Sequence, residues 1–139
     1  MNLIEKIKAS FLSQNFYFGT AEELNAVANG NIEMPAVFLY RPESWATFDG
    51  NGREQCSFLI FFCDNTSYSF STGENNEIVE KCKKRALNWA KTIDLYDLKI
   101  AEKLRLKPVY LEFSTYVTGV MVEVLLRETY PNEVNCEQF

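Results

Sequence analysis

Residues 109–128, VYLEFSTYVTGVMVEVLLRE, decide the fold of this chain. In the second half of the stretch every other residue is apolar, at Val120, Val122, Val124 and Leu126. This alternation predicts a β-strand with one face on the core. A turn expected around residues 114–118 makes the whole stretch a β-hairpin.

An amphipathic helix from Asn75 to Ile93 is predicted before this hairpin. Its apolar side chains recur at helical spacing and include Ile78, Cys82 and Trp89. The basic run KCKKR (81–85) places its lysines and arginine on the other side, where a solvated helix face is expected. The helix is therefore predicted to pack on the core.

The first half of the chain follows the same order, a helix and then a hairpin. A helix is predicted over residues 3–16, because Leu3, Ile7 and Phe11 form one apolar stripe, and Gly19 is expected to end it. The two halves share this order but no residue identity, so we infer no sequence repeat.

Turn signals divide the rest of the first half. Thr20 and Glu23 have the spacing of a capping box and open a short helical turn. The strands predicted after it are Ala36–Tyr40, Ser44–Phe48 and Arg53–Cys63, the last two joined by the Asp49–Gly52 turn. The run SFLIFF (57–62) is apolar on both faces. It is either a central strand covered on both sides, or a strand with one face in a subunit interface.

The remaining segments carry weaker signals. Tyr68 and Phe70 are expected in a brief strand or over the edge of the core. Residues 94–107 are expected to form an irregular connection with a helical turn. The closing strands are predicted at 108–113 and 117–127, and residues 129–139 are expected to form a loose tail.

The predicted order is α-β-β(-β)-α-β-β in a single domain, residues 1–139. Separate helices and hairpins without strict βαβ alternation indicate an α+β fold. We expect a two-layer sandwich in which a mostly antiparallel sheet carries both long helices on one face.

Composition excludes several classes of function. The net charge of −5 disfavours binding to nucleic acid, which depends on neutralising phosphates. The N-terminus lacks the apolar segment of a secretory signal, and no apolar run is long enough to span a membrane. The four cysteines match no zinc or redox spacing, so free thiols are expected.

The reactive residues do not form a catalytic pattern. Histidine is absent, which removes the Ser-His-Asp and Cys-His mechanisms. Cys82 is expected to be a buried structural thiol, and Cys56 and Cys63 to face opposite sides of one strand. Glu112 and Glu123 are expected to approach each other across the second hairpin as solvated charges. We therefore expect no enzymatic activity, no metal and no cofactor.

Two features remain as candidate protein interfaces. Trp45 and Phe48 flank the glycine-rich turn of the first hairpin, where aromatic residues are either exposed for a partner or folded back onto the core. The long terminal strand is the second feature, because a strand at a sheet edge could pair with a neighbouring subunit.

Three stretches carry a resemblance to a known family. They are PAVFLY (35–40), the helix 77–93 and VTGVMVEV (117–124), set after an N-terminal helix. In this order they resemble small tail proteins of tailed bacteriophages, especially tail-terminator and head–tail joining proteins, over residues 2–128. The family has no catalytic residues, so no residue role follows. The resemblance implies a ring, often a hexamer, at the end of a tail tube.

The first functional hypothesis is a non-enzymatic phage or prophage structural protein. It would self-assemble and contact other virion proteins, first in the host cytoplasm and then in the virion, without a membrane or a specific nucleic acid. The alternative is a monomeric adaptor of a phage or mobile element that binds one protein through Trp45 and Phe48. An enzyme that uses carboxylates or a cysteine is the least favoured class.

Overall fold

A computed structural model of the chain describes residues 2–30, 32–66, 73–112 and 117–130. Its helices are α1 (Leu3–Ser10), α2 (Ala21–Asn29) and α3 (Glu74–Thr92), and a 3₁₀ turn (Ile93–Tyr96) follows α3. Its strands are β1 (Asn15–Gly19), β2 (Ala36–Tyr40), β3 (Thr47–Phe48), β4 (Glu54–Asn65), β5 (Leu98–Ile100), β6 (Arg105–Glu112) and β7 (Val117–Glu128).

The described strands form one sheet around the long pair β4 and β7. The order is β1-β2-β4-β7-β5, with β3 also paired to β4 and β6 also paired to β7. Neighbours are antiparallel except β1 and β2, which are parallel. The register of β4 on β7 runs from Gln55 opposite Arg127 to Asn65 opposite Val117. Every other side chain of these two strands therefore points to the same face of the sheet.

The main core lies between one face of the sheet and helices α1 and α3. Even-numbered residues of β4 and β7 supply the sheet side, and Leu3, Ile7, Phe11 and Trp89 supply much of the helix side. The rings of Phe11 and Trp89 are stacked with their centroids 5.1 Å apart. Burial of each such side chain contributes roughly 1.5–3 kcal/mol, so this layer dominates the stability.

Helix α2 packs on the opposite face of the sheet. Its capping box is complete, because the Glu23 amide donates to Thr20 Oγ1 (3.2 Å) and the Thr20 amide donates to Glu23 Oε1 (3.1 Å). Leu24 is fully buried against a second cluster that includes Phe38 and Phe61. The predicted helical turn after residue 20 is thus a capped helix of nine residues.

The expected α+β fold is confirmed. The sheet is mixed but mostly antiparallel, and α1 and α3 lie together on one face. The strand predicted at Ala36–Tyr40 has those bounds, and α3 begins one residue before its predicted start and ends one residue before its predicted end.

The first helix is shorter than predicted. It ends at Ser10, and residues 15–19 form β1, parallel to β2. Beyond Ser10, Phe11 packs on the core as the residue after the helix, and Phe16 and Phe18 pack on the same core from a strand. Gly19 therefore ends a strand and not a helix. Of the predicted strand Ser44–Phe48, only Thr47 and Phe48 pair with β4.

The closing segments also differ from the prediction. The connection predicted for residues 94–107 contains the 3₁₀ turn, β5 and the start of β6. The terminal strand β7 is not an edge strand, because β4 flanks it on one side and β5 and β6 on the other. Its backbone is therefore not available to a neighbouring subunit. Tyr68, Phe70 and residues 131–139 lie outside the described residues, whereas the amides of Thr129 and Tyr130 both donate to Asp97.

Candidate interaction surface

The first hairpin presents two large aromatic side chains to solvent. Trp45 is 92% exposed and Phe48 is 63% exposed, so both expected interface residues point outward. Phe48 lies opposite Glu54 in the short β3–β4 pairing. A tryptophan this exposed buries almost none of its apolar surface within the chain, which is unfavourable unless another molecule covers it.

The turn that joins β3 to β4 is braced by Asp49. Its Oδ1 accepts hydrogen bonds from the amides of Asn51 (2.9 Å) and Arg53 (3.0 Å), and its Oδ2 accepts from Arg53 Nε (2.6 Å). The backbone hydrogen bond from Arg53 and these neighbouring contacts lower the pKa of Asp49. Gly52 has φ of 79°, a conformation that favours glycine. Phe48 therefore adjoins a braced turn, and Trp45 lies in the loop just before β3.

Part of the second face of the sheet is not covered by α2 or by any other described segment. We call it the open face. It consists of the outward side chains of β4, β5, β6 and β7 beyond the cover of α2, namely Ser57, Leu59, Lys99, Arg105, Lys107, Glu123, Leu125 and Arg127. Met121 lies at its boundary, where it packs against the cluster under α2. Leu59 is 41% exposed in its centre, although Phe61 two residues later is fully buried under α2.

The open face is basic, although the whole chain is acidic. It carries four basic side chains and one acidic side chain, a net charge of +3, on a chain whose total is −5. Arg105 and Glu123 form an exposed ion pair across β6 and β7 (3.2 Å). Lys99 and Lys107 have no ion-pair partner among the described residues.

Two shallow clefts cross the open face and meet at Leu59 and Glu123. One, of about 520 Å³, extends toward the first hairpin and is also lined by Tyr40 and Ser44. The other, of about 600 Å³, extends toward β6 and is also lined by Pro108. An apolar centre with a polar rim is the general anatomy of protein–protein interfaces.

A third depression, of about 570 Å³, lies between the end of α1 and α3. Arg85 points into this region, but its guanidinium donates to Gln14 Oε1 (3.2 Å) and to the carbonyl oxygens of Cys63 (3.3 Å) and Ala36 (3.4 Å). These bonds join α3 to the sheet and to the loop before β1. The role of Arg85 is therefore structural, and it is not on the solvated face expected for the basic run.

A buried charged cluster connects the N-terminal helix to the last strand. Lys6 Nζ lies 2.5 Å from Glu128 Oε2 and 2.6 Å from Asp97 Oδ2. Glu128 is fully buried, and its other oxygen accepts from the Glu54 amide (2.8 Å). Burial alone would lower the pKa of Lys6, but the hydrogen bonds and charges of Asp97 and Glu128 outweigh it and raise that pKa. None of the clefts described above is lined by these residues, so the cluster is structural.

This cluster was not predicted from the sequence, although one signal was present. Glu128 continues the even-numbered phase of β7 that buries Val124 and Leu126. A carboxylate in a core position requires a buried partner. The partner, Lys6, lies 122 residues earlier in the chain.

The candidate carboxylates and cysteines do not converge. Glu123 is opposite Arg105 in the register and Glu112 is opposite Val117, so the predicted approach of the two acids is wrong. Cys56 and Cys63 belong to cores on opposite faces, as predicted. Desolvation raises the pKa of each of the thiols of Cys56, Cys63 and Cys82, which disfavours a reactive thiolate. Within the described residues no three His, Cys, Asp or Glu side chains could hold a metal.

Comparison with known proteins gives no relative from which a function could be taken. Neither a protein-family model nor a curated protein matches the sequence. Within the described ranges, none of the helices combines the length and apolarity needed to cross a bilayer. The exposed hairpin and the open face are therefore the features of this chain on which a function can be argued.

Proposed function

We propose that this chain is a non-enzymatic structural protein of a tailed phage or prophage, similar in role to a tail terminator, and that it acts by assembling into a ring. The observation that carries the proposal is Trp45, 92% exposed in the loop just before β3. An exposed aromatic close to a braced turn is suited to inserting into another protein. The resemblance in element order supplies the virion context and the ring, of which a hexamer is the expected form.

The partners under this proposal are other copies of the chain and further virion proteins. Assembly would take place in the host cytoplasm, and the protein would then remain in the virion. The acidic net charge keeps subunits soluble before assembly. No cofactor is required, because the work is done by surface complementarity.

Light scattering coupled to size exclusion tests this proposal over a wide range of concentration. We expect the mass to rise from one chain to a defined closed multiple, since a cyclic assembly ends at a fixed number of subunits. A single-chain mass at millimolar concentration would contradict self-assembly.

A monomeric adaptor is the second candidate, and the same exposed hairpin supports it. Such an adaptor would stay a single chain yet bind one other protein. The double substitution W45A/F48A would then abolish capture of that protein while the circular dichroism spectrum stays unchanged. The two candidates therefore differ in whether the wild-type chain associates with itself.

A further inference from the structure

We infer that the open face is the docking site for the first hairpin of a second copy of this chain. The inference rests on the proposed self-assembly and specifies its two contacting surfaces. The exposed aromatics Trp45 and Phe48 of one copy would cover Leu59 of the next. The two surfaces are different, so the contact is head to tail.

Both surfaces lack an apolar partner within one chain. Trp45 and Phe48 are exposed, and Leu59 is 41% exposed between two clefts. The chain's own hairpin borders one of these clefts at Ser44, but Trp45 is turned to solvent and does not fill it. Placing the aromatics of a second copy on Leu59 removes both apolar surfaces from water at once.

The charges of the two surfaces are complementary. The hairpin, residues 43–54, contains three acidic residues and one basic residue. Asp49 pairs with Arg53, and Glu54 is partly buried beside Glu128, so the exposed Glu43 is the acid that faces a partner. The open face carries +3, and Lys99 and Lys107 have no ion pair with a described residue. Complementary potentials of this kind orient two proteins and speed their association. They also favour a second copy of this acidic chain as the occupant.

A head-to-tail contact between unlike surfaces leads to rings or open chains. Each subunit uses its hairpin for one contact and its open face for the other. One intact hairpin and one intact open face are therefore sufficient for a dimer, even if the other two surfaces are destroyed. This property gives a direct test in solution.

The test uses two full-length variants that damage different surfaces. L59E places a carboxylate in the centre of the open face, and W45A/F48A removes the hairpin aromatics. L95E is the matched control, because Leu95 is 77% exposed and lines the depression between α1 and α3, away from both surfaces. Circular dichroism and thermal melting establish that each variant is folded.

We expect wild type and L95E to assemble and each damaged variant alone to remain a single chain. An equimolar mixture of L59E with W45A/F48A should give a heterodimer. Raising NaCl from 50 to 500 mM should weaken assembly of the wild type on the order of tenfold, because exposed charges are screened.

Four results would overturn the inference. If L59E assembles as well as the wild type, another surface makes the contact, although self-assembly itself would stand. If the mixture of L59E with W45A/F48A contains only single chains, another surface likewise makes the contact. A photo-crosslinker at position 59 provides a separate readout, and a crosslink within one chain, for example to residues 131–139, would show that the chain covers its own open face. A wild-type chain that never assembles would remove the proposed function together with this inference.

Discussion

Replacing Lys6 with methionine should remove about 3 kcal/mol from the free energy of unfolding. The ammonium lies between Glu128, which is fully buried, and Asp97, whose side chain is 27% exposed. Methionine keeps much of the aliphatic stem but leaves two carboxylates without their cation. Removing one partner of a buried ion pair costs about 3–5 kcal/mol, and the partial exposure of Asp97 sets the lower end.

The loss should depend on pH in a defined way. The raised pKa of Lys6 means that its contribution is complete below the ordinary lysine pKa of about 10.4 and is lost as pH rises through the folded value. The difference between wild type and K6M should therefore be constant up to about pH 10 and should shrink as the pH rises further.

Urea unfolding followed by circular dichroism at several pH values measures this difference. K8M is the matched control on the same helix, since Lys8 is exposed and only approaches the Phe18 ring at 5.2 Å. It should change stability by less than about 1 kcal/mol. The double variant K6M/E128L should recover most of the loss, because an apolar pair can replace a buried ion pair.

The reasoning would be refuted if K6M were as stable as K8M at pH 7. It would equally be refuted if the loss from K6M did not shrink when the pH is raised well above the ordinary lysine pKa. A double variant that loses the full sum of two single losses would show that the cavity, and not the unpaired charge, determines the cost.

Three further substitutions test individual contacts. G119A should destabilise the fold by about 3 kcal/mol in urea unfolding, because the added Cβ would lie 1.9 Å from a carbonyl oxygen of β4. G50A is its control and should be nearly neutral, because a Cβ at that position meets nothing within 4 Å. E54Q should raise the midpoint of thermal unfolding slightly at pH 7 and not at pH 4, because desolvation and a neighbouring carboxylate raise the pKa of Glu54. A lower midpoint for E54Q than for the wild type at pH 7 would contradict this prediction. W89F should lower the free energy of unfolding in urea by about 1–2 kcal/mol, because it loses the 2.9 Å hydrogen bond from the indole N–H to Ser10 Oγ. An unchanged free energy of unfolding would show that this hydrogen bond contributes little.

The elements that could be predicted from sequence are those with a complete local signal. The strand Ala36–Tyr40 follows a proline and contains an unbroken apolar run, and α3 has a long helical stripe. The strand β1 could not be predicted in this way. Phe16 lies four residues after Leu12 and so extends the helical spacing, and only the parallel partner β2 makes residues 15–19 a strand.

The position of β7 in the sheet could also not be predicted from its local sequence. Its alternation predicts a strand with one core face, and this face was correctly assigned. Whether such a strand lies at the edge depends on β5 and β6, which come from the stretch with the weakest periodicity. The buried ion pair of Lys6 and Glu128 could not be predicted from local sequence either, because its two residues are 122 positions apart.

The open face follows from the difference in length between helix α2 and strand β4. A helix of nine residues is about 14 Å long, whereas β4, with twelve residues, extends over about 40 Å. Helix α2 can therefore cover only one end of the second face, and Leu59 lies beyond it. The apolar run on both faces of β4 left two explanations, cover within the chain or a subunit interface. Phe61 is covered within the chain, whereas Leu59 is exposed and available to a neighbouring subunit. The two explanations therefore apply to adjacent parts of one strand.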